Sequence, residues 1–258
     1  MQYSYLVVEG PHDLEFVGSL LRARGLHKVR REEKFDALCH PLIPRRFPPD
    51  GDLLKRVPVP AFFQNADYSV AIHSVTGSHR LVPTVEETLR FPGFKSVEIS
   101  SIGLFLDADW QRPVADTFAQ LKAEIQAIGL PSADAPGSVN YGPRRTGVFI
   151  FPDNYNPGTL ENLLDDCAAL IYGELREKAQ QFTAAAQTVQ HINADREEFD
   201  KPAGKMKVTM GCIANFLRPA KAIQNSIADN RWVCDESLAL PAIAKLDAFV
   251  WDVIGLER

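Results

Sequence analysis

The 258-residue sequence has no long apolar run, no paired cysteines and no surplus of basic charge. None of its apolar stretches approaches the roughly 18 residues needed to span a bilayer. The N-terminus lacks a basic stretch followed by a signal-type core and goes straight into a strand-like run, so a reducing cytoplasm is the expected location and no membrane partner is expected. The four cysteines, Cys39, Cys167, Cys212 and Cys234, form no Cys-x-x-Cys pair and stand in no zinc-like spacing with histidine; Cys39-His40 is isolated. A disulfide framework and a cysteine–histidine zinc site are therefore not expected. There is no Gly-x-x-x-x-Gly-Lys-Ser/Thr phosphate loop, so any ATPase working with this chain would have to be a separate protein. With 28 Lys and Arg against 33 Asp and Glu, the formal charge of −5 gives no global attraction for nucleic acid, although a local basic face is still allowed.

Apolar residues make up 45% of the chain, enough for a sizeable core without staples. Within that ordinary composition, two short acidic motifs stand out: Val7-Val8-Glu9-Gly10-Pro11-His12-Asp13 and Leu104-Phe105-Leu106-Asp107-Ala108-Asp109. Each follows an apolar run that reads as a buried strand and precedes a segment that reads as a helix. Ligands of open parallel sheets gather just beyond the carboxyl ends of the strands. Acidic residues at two such ends suit one hard cation, because Mg²⁺ prefers oxygen ligands and keeps waters for a phosphate substrate.

The rest of the chain supplies the setting. Tyr3 to Val8 is a strand, and Leu14, Phe16, Val17, Leu20 and Leu21 recur at helical spacing up to Gly25. Residues 27–68 carry Pro41, Pro44, Pro48, Pro49, Pro58 and Pro60 and read as an irregular insertion with one short helix around 50–56. Further strands are predicted at Tyr68–Val75, within Val97–Leu106 and at Gly147–Phe151, with helices at Val82–Leu89, Val114–Ile128 and Thr159 to about Ala179. This alternation predicts an α/β domain over residues 1–180, a parallel sheet covered by helices on both faces. Beyond it, 181–258 reads as a helical C-terminal region.

Asp107 and Asp109, two apart, project to one side if the strand persists that far. Their mutual repulsion is relieved by a divalent cation; otherwise one caps the following helix and the other is solvated. Glu9 ends an apolar strand, where it suits a metal ligand or a general base. Asp13 lies in a first helical turn, where the helix dipole also favours a negative charge. His79 and Arg80 follow the glycine turn Thr76-Gly77-Ser78 on the same rim, whereas Arg144 and Arg145 precede the fourth strand and fall at the opposite edge if it is parallel. Both pairs are candidates for a nucleic-acid backbone. Trp110 either stacks on a base or packs in a core or interface.

Taken together, these motifs resemble the Toprim domain over roughly residues 3–165. Glu9 with Gly10-x-x-Asp13 matches the first acidic motif of that family, and Asp107-x-Asp109 matches the second. The resemblance implies a Rossmann-like parallel sheet and Mg²⁺ or Mn²⁺ at a phosphodiester, held by Glu9, Asp107 and Asp109. Further along, Phe151-Pro152-Asp153-Asn154 and Gly158-Thr159-Leu160-Glu161-Asn162-Leu163-Leu164 are similar to the OLD-family branch, whose later motif binds a second metal. Glu161 and then Asp153 are the implied ligands, with Asp165 and Asp166 behind them. That branch also implies an assisting lysine, here Lys205 or Lys207. The implied activity is a divalent-metal nuclease acting on nucleic acid, with DNA ranked ahead of RNA and the choice between them left open, and with defence or DNA repair as candidate contexts. The alternatives are a non-catalytic Toprim module binding nucleic acid or a partner, and another metal-dependent phosphotransferase.

Overall fold

The computed structural model describes residues 1–34, 36–43, 59–91, 94–95, 98–108, 110, 112–189 and 193–256, with only the backbone given for 193–195. The helix expected around 50–56 lies outside these residues. Among them are seven strands: β1 (Gln2–Val8), β2 (His27–Val29), β3 (Ala61–Gln64), β4 (Tyr68–Ser74), β5 (Ile99–Asp107), β6 (Val139–Asn140) and β7 (Arg145–Phe151). They form one open sheet in the order β2-β3-β4-β1-β5-β7-β6. The central strands β4, β1, β5 and β7 are parallel, and the edges are antiparallel. The α/β class expected from the alternating pattern is thus the observed one.

The helices are α1 (Pro11–Ala23), α2 (Leu81–Leu89), α3 (Val114–Ala127), α4 (Leu160–Ile171), α5 (Gly173–Ala186), α6 (Asn193–Asp200), α7 (Gly204–Leu217), α8 (Ile223–Asp229), α9 (Asp235–Leu238) and α10 (Pro241–Ile254). They divide between the two sheet faces because strand side chains alternate. Along β1, Tyr5 and Val7 join a core with Val82 and Val85 of α2 and Phe118 and Leu121 of α3. Leu6 and Val8 point the other way, into a core with Phe16 and Leu20 of α1, Leu163 of α4 and Phe249 of α10. Both faces of the inner strands are buried, which accounts for their nearly unbroken apolar runs.

Every described element after residue 180 is helical, and the last returns to the sheet. Phe249 of α10 meets Phe105 of β5 edge-on and Phe149 of β7 at a tilt, with centroids 5.5 Å apart in both cases. Arg24, at the C-terminus of α1, forks onto Asp247 of α10 and lies 5.3 Å above the Trp251 ring. Among the described residues no helix is long and apolar enough to cross a membrane.

Two sequence expectations need correction. The 27–68 insertion is not wholly irregular: β2 and β3 form an antiparallel ribbon that extends the sheet beyond β4. The helix read from Thr159 to about Ala179 is two helices, interrupted at Tyr172, whose backbone leaves the helical region (φ −125°, ψ 33°). Arg176 of α5 reaches back across the break to fork onto Asp165 of α4 at 2.7 and 2.6 Å.

Candidate functional site

β1 and β5 are paired side by side, with Val8 opposite Phe105, so the residues that end them meet at one edge of the sheet. Asp107 is the last residue of β5 and Glu9 directly follows β1. The main-chain N–H of Asp107 donates to Glu9 Oε2 at 3.2 Å. Asp107 Oδ1 accepts the N–H of Leu160, the first residue of α4, at 2.9 Å. The Asp107 carboxylate therefore satisfies one of the open donors at that helix start.

The turn after Glu9 places the third acid. Gly10 is extended (φ −148°, ψ 171°) and Pro11 opens α1 with its φ already suited to a helix. Asp13 turns back so that its Oδ2 accepts the Gly10 N–H at 2.8 Å. A fourth acid, Glu161, lies in the first turn of α4. Asp13 and Glu161 are each only 5% exposed, an unusual burial for carboxylates.

The electrostatics follow from this crowding. Burial pushes the Asp107 carboxyl up to about 8, helped by the charges of Glu161 and Glu9, while the Leu160 N–H and the Lys207 charge pull it down. Burial, together with Asp107, Glu9 and Glu161, also raises Asp13 well above the ordinary carboxylate range, against the Gly10 N–H. Glu161 goes the other way. Burial opposes its charge, but the His12 and Thr159 side chains, and after them the Lys207 ammonium, outweigh that and hold it below its usual value. His12 Nδ1 stands 3.9 Å from Glu161 Oε1. His12, Glu161 and Lys207 share the lining of a cavity of about 150 Å³ with Leu164, Met210 and Ile223.

Sequence reasoning thus located Glu9, Asp13, Asp107 and Glu161, which the fold brings together. It left Lys205 and Lys207 equivalent; both are exposed on α7, and the structure lines the cavity with Lys207 and not with Lys205. It did not single out His12, whose signal was its place three residues after Glu9 in the first turn of α1. Asp109 lies outside the described residues. Asp153 is occupied in building the turn after β7: it accepts from the main chains of Tyr155 (3.0 Å) and Asn156 (2.8 Å) and from the Asn156 side chain (2.6 Å). Burial opposes its charge, but those hydrogen bonds depress its pKa.

The basic candidates are spread more widely. His79 is exposed on the turn after β4, and Arg80 binds both oxygens of Glu87 at 3.0 and 3.1 Å. Arg144 donates to the Ile99 carbonyl at 3.0 Å, and Arg145 begins β7, so both lie at the sheet edge opposite the acids.

Oxygen-only donors are the right chemistry for a hard cation, and burial together with neighbouring carboxylates raises Asp13 and Asp107. Among the described residues no three His, Cys, Asp or Glu side chains form a group that could hold a metal ion. Mg²⁺ is ordinarily held by one or two carboxylates together with water and substrate phosphate. Glu9 and Asp107, linked through the Asp107 N–H, fit that pattern.

An open α/β sheet with a buried acidic cluster at the carboxyl ends of its parallel strands is the class of protein that this fold and site define. Residues 3–249 match the family described as "Protein of unknown function (DUF3226)", and the chain belongs to that family. No curated protein matches it. Among solved structures it is similar to the crystal structure of hypothetical protein PH0156 from Pyrococcus horikoshii OT3. The two are 12% identical with a TM-score of 0.56, over 98% of this chain and 95% of that one. At that identity the likeness is one of fold.

Proposed function

We propose that this protein is a nuclease that hydrolyses nucleic-acid phosphodiesters with a divalent cation, Mg²⁺ or Mn²⁺. The observation that carries the reading is the convergence of Glu9, Asp13, Asp107 and Glu161 beside Lys207. Crowded carboxylates raised by burial and by one another, at strand ends and helix starts, are a pattern found at functional sites. The resemblance of Glu9-Gly10-x-x-Asp13 and Asp107-x-Asp109 to the Toprim motifs supports the same reading.

In this reading Glu9 and Asp107 would hold the cation, which would supply charge neutralisation at the phosphate and an acidified water. Asp13 braces the Gly10 turn and so fixes where Glu9 stands. The Asp107 main-chain N–H orients Glu9, and the Leu160 N–H orients Asp107. Lys207 offsets negative charge that develops on the phosphate oxygens. Asp109 would join the ligand set as the resemblance implies.

The test pairs binding with turnover. Mn²⁺ affinity is measured by electron paramagnetic resonance, and cleavage of single- and double-stranded DNA and RNA is followed with Mg²⁺ or Mn²⁺. The wild-type chain is expected to bind Mn²⁺ and to cleave, and Asp107→Asn to lose both. Wild-type protein that neither binds Mn²⁺ nor cleaves at millimolar metal would overturn the reading.

A further inference from the structure

We infer that the cavity between α1, α4, α7 and α8 is a nucleobase pocket, receiving the unpaired base of a nucleotide next to the acidic cluster. The inference rests on the nuclease reading for its substrate class, and its own support is the cavity's lining. Its lining joins three polar side chains, His12, Glu161 and Lys207, to three apolar ones, Leu164, Met210 and Ile223. Leu164 and Met210 are each 1% exposed members of the main core, so that part of the lining is fixed by packing.

The ligand class follows from that mixture. A phosphate group has no apolar face to set against Leu164, Met210 and Ile223. A nucleotide's sugar is a puckered ring and presents no flat apolar face to the aliphatic side chains. A nucleobase has apolar faces and a polar edge. Its faces suit the aliphatic side chains and the polarisable Met210 sulfur. Its edge carries both donors and acceptors, which suit the Glu161 carboxylate and the His12 and Lys207 nitrogens.

Size points the same way. At about 150 Å³ the cavity lies below the roughly 300–1,000 Å³ of drug-sized sites, so it admits one ring system and not a stacked pair. A base can enter such a pocket only when it has left the duplex stack. Glu161 and Lys207 also act electrostatically on Asp107. A base held there would therefore border the acidic cluster. The protein would then select single strands, unpaired ends or extruded nucleotides.

The experiment uses free nucleosides, which carry no phosphate and so do not depend on metal. Saturation-transfer NMR on the full chain, irradiating protein methyl groups, is expected to mark the base protons several-fold more strongly than the ribose protons. Free ribose is expected to give no transfer. Ile223→Trp, which fills the pocket from its half-buried wall, is expected to weaken nucleoside binding at least tenfold while leaving Mn²⁺ affinity within twofold. Transfer spread evenly over base and ribose, absence of nucleoside binding, or an Ile223→Trp variant that is folded by its melting curve yet binds as wild type would each overturn the pocket. If the variant does not fold, the wild-type transfer pattern decides alone. Metal-dependent cleavage without base-directed transfer sinks the pocket and spares the nuclease reading; base-directed transfer without metal-dependent cleavage does the reverse.

Discussion

The main-chain N–H of Asp107 donates to the side chain of Glu9, so the last residue of β5 orients the acid that follows β1. The same Asp107 accepts from the first residue of α4 through its carboxylate. One residue thus ties two strand ends and a helix start together, and does so with both its backbone and its side chain. The geometry of the acidic cluster therefore does not rest on loop packing alone.

This division of labour makes Asp107→Asn a clean substitution. The backbone N–H to Glu9 is unchanged, and the asparagine oxygen can still accept from Leu160. The negative charge is lost, and the second carboxylate oxygen is replaced by an NH2 donor. The variant is expected to fold with an unaltered circular dichroism spectrum, to bind Mn²⁺ at least tenfold more weakly, and to melt at or above the wild-type temperature in metal-free buffer at pH 8. A lower melting temperature there would show that Asp107 is chiefly a structural cap.

The acidic cluster was legible in the sequence because its members sit at punctuation marks of the fold. Glu9 and Asp107 end apolar strands, and Asp13 and Glu161 open helices. What was not legible depended on contacts between distant segments. β2 and β3 are three and four residues long and gain their identity only by pairing with one another and with β4. His12 had no visible partner until α4 brought Glu161 to it. Lys205 and Lys207 differ in sequence by two positions but by about 200° around a helix, and only packing says which faces the acids. Arg80 and Arg144, read as candidates for a nucleic-acid backbone, are engaged with Glu87 and with the Ile99 carbonyl.

The seating of α10 on the sheet depends on Gly147 of β7. A Cβ built there would lie 2.7 Å from Phe249 Cε2 and 3.1 Å from the Ser138 carbonyl oxygen. Replacing a strand glycine by alanine ordinarily stabilises by up to about 1 kcal/mol through lost unfolded-state freedom. Here the clash with a buried ring and a backbone oxygen outweighs that gain. Gly147→Ala is expected to destabilise by about 2 kcal/mol. For a chain of this size that lowers Tm by about 4–8 °C. Calorimetry checks it, and an unchanged or higher Tm would contradict the packing of α10 on β7.

Lys207 and Lys205 separate a site role from a surface one. Both side chains are exposed, but Lys207 lines the cavity and its charge opposes the upward shift of Asp107, whereas Lys205 does neither. Lys207→Ala is expected to lower cleavage at least tenfold, and Lys205→Ala to leave it within twofold. Equal effects of the two substitutions would mean that helix α7 contributes only general positive charge.

The same cluster sets how stability depends on pH. Asp107 is raised to about 8 and Asp13 is raised well above the ordinary carboxylate value, both chiefly by burial. An unfolded aspartate releases its proton near pH ~3.9. Between that point and about pH 8 the folded chain holds protons that the unfolded chain has lost, so its stability falls as pH rises through the window. Glu161 is depressed and acts with the opposite sign: its contribution is present above the unfolded glutamate value and is lost in acid, outside this window. Metal-free melts are therefore expected to show Tm declining from about pH 5 toward pH 8, with a flatter profile for Asp107→Asn. In the proposed function, Mg²⁺ stabilises the ionised carboxylates and restores Tm most at the alkaline end. A wild-type profile that is flat from pH 5 to 8 without metal would show that Asp107 and Asp13 ionise normally, and with that the central electrostatic reason for placing a cation between β1 and β5 would be gone.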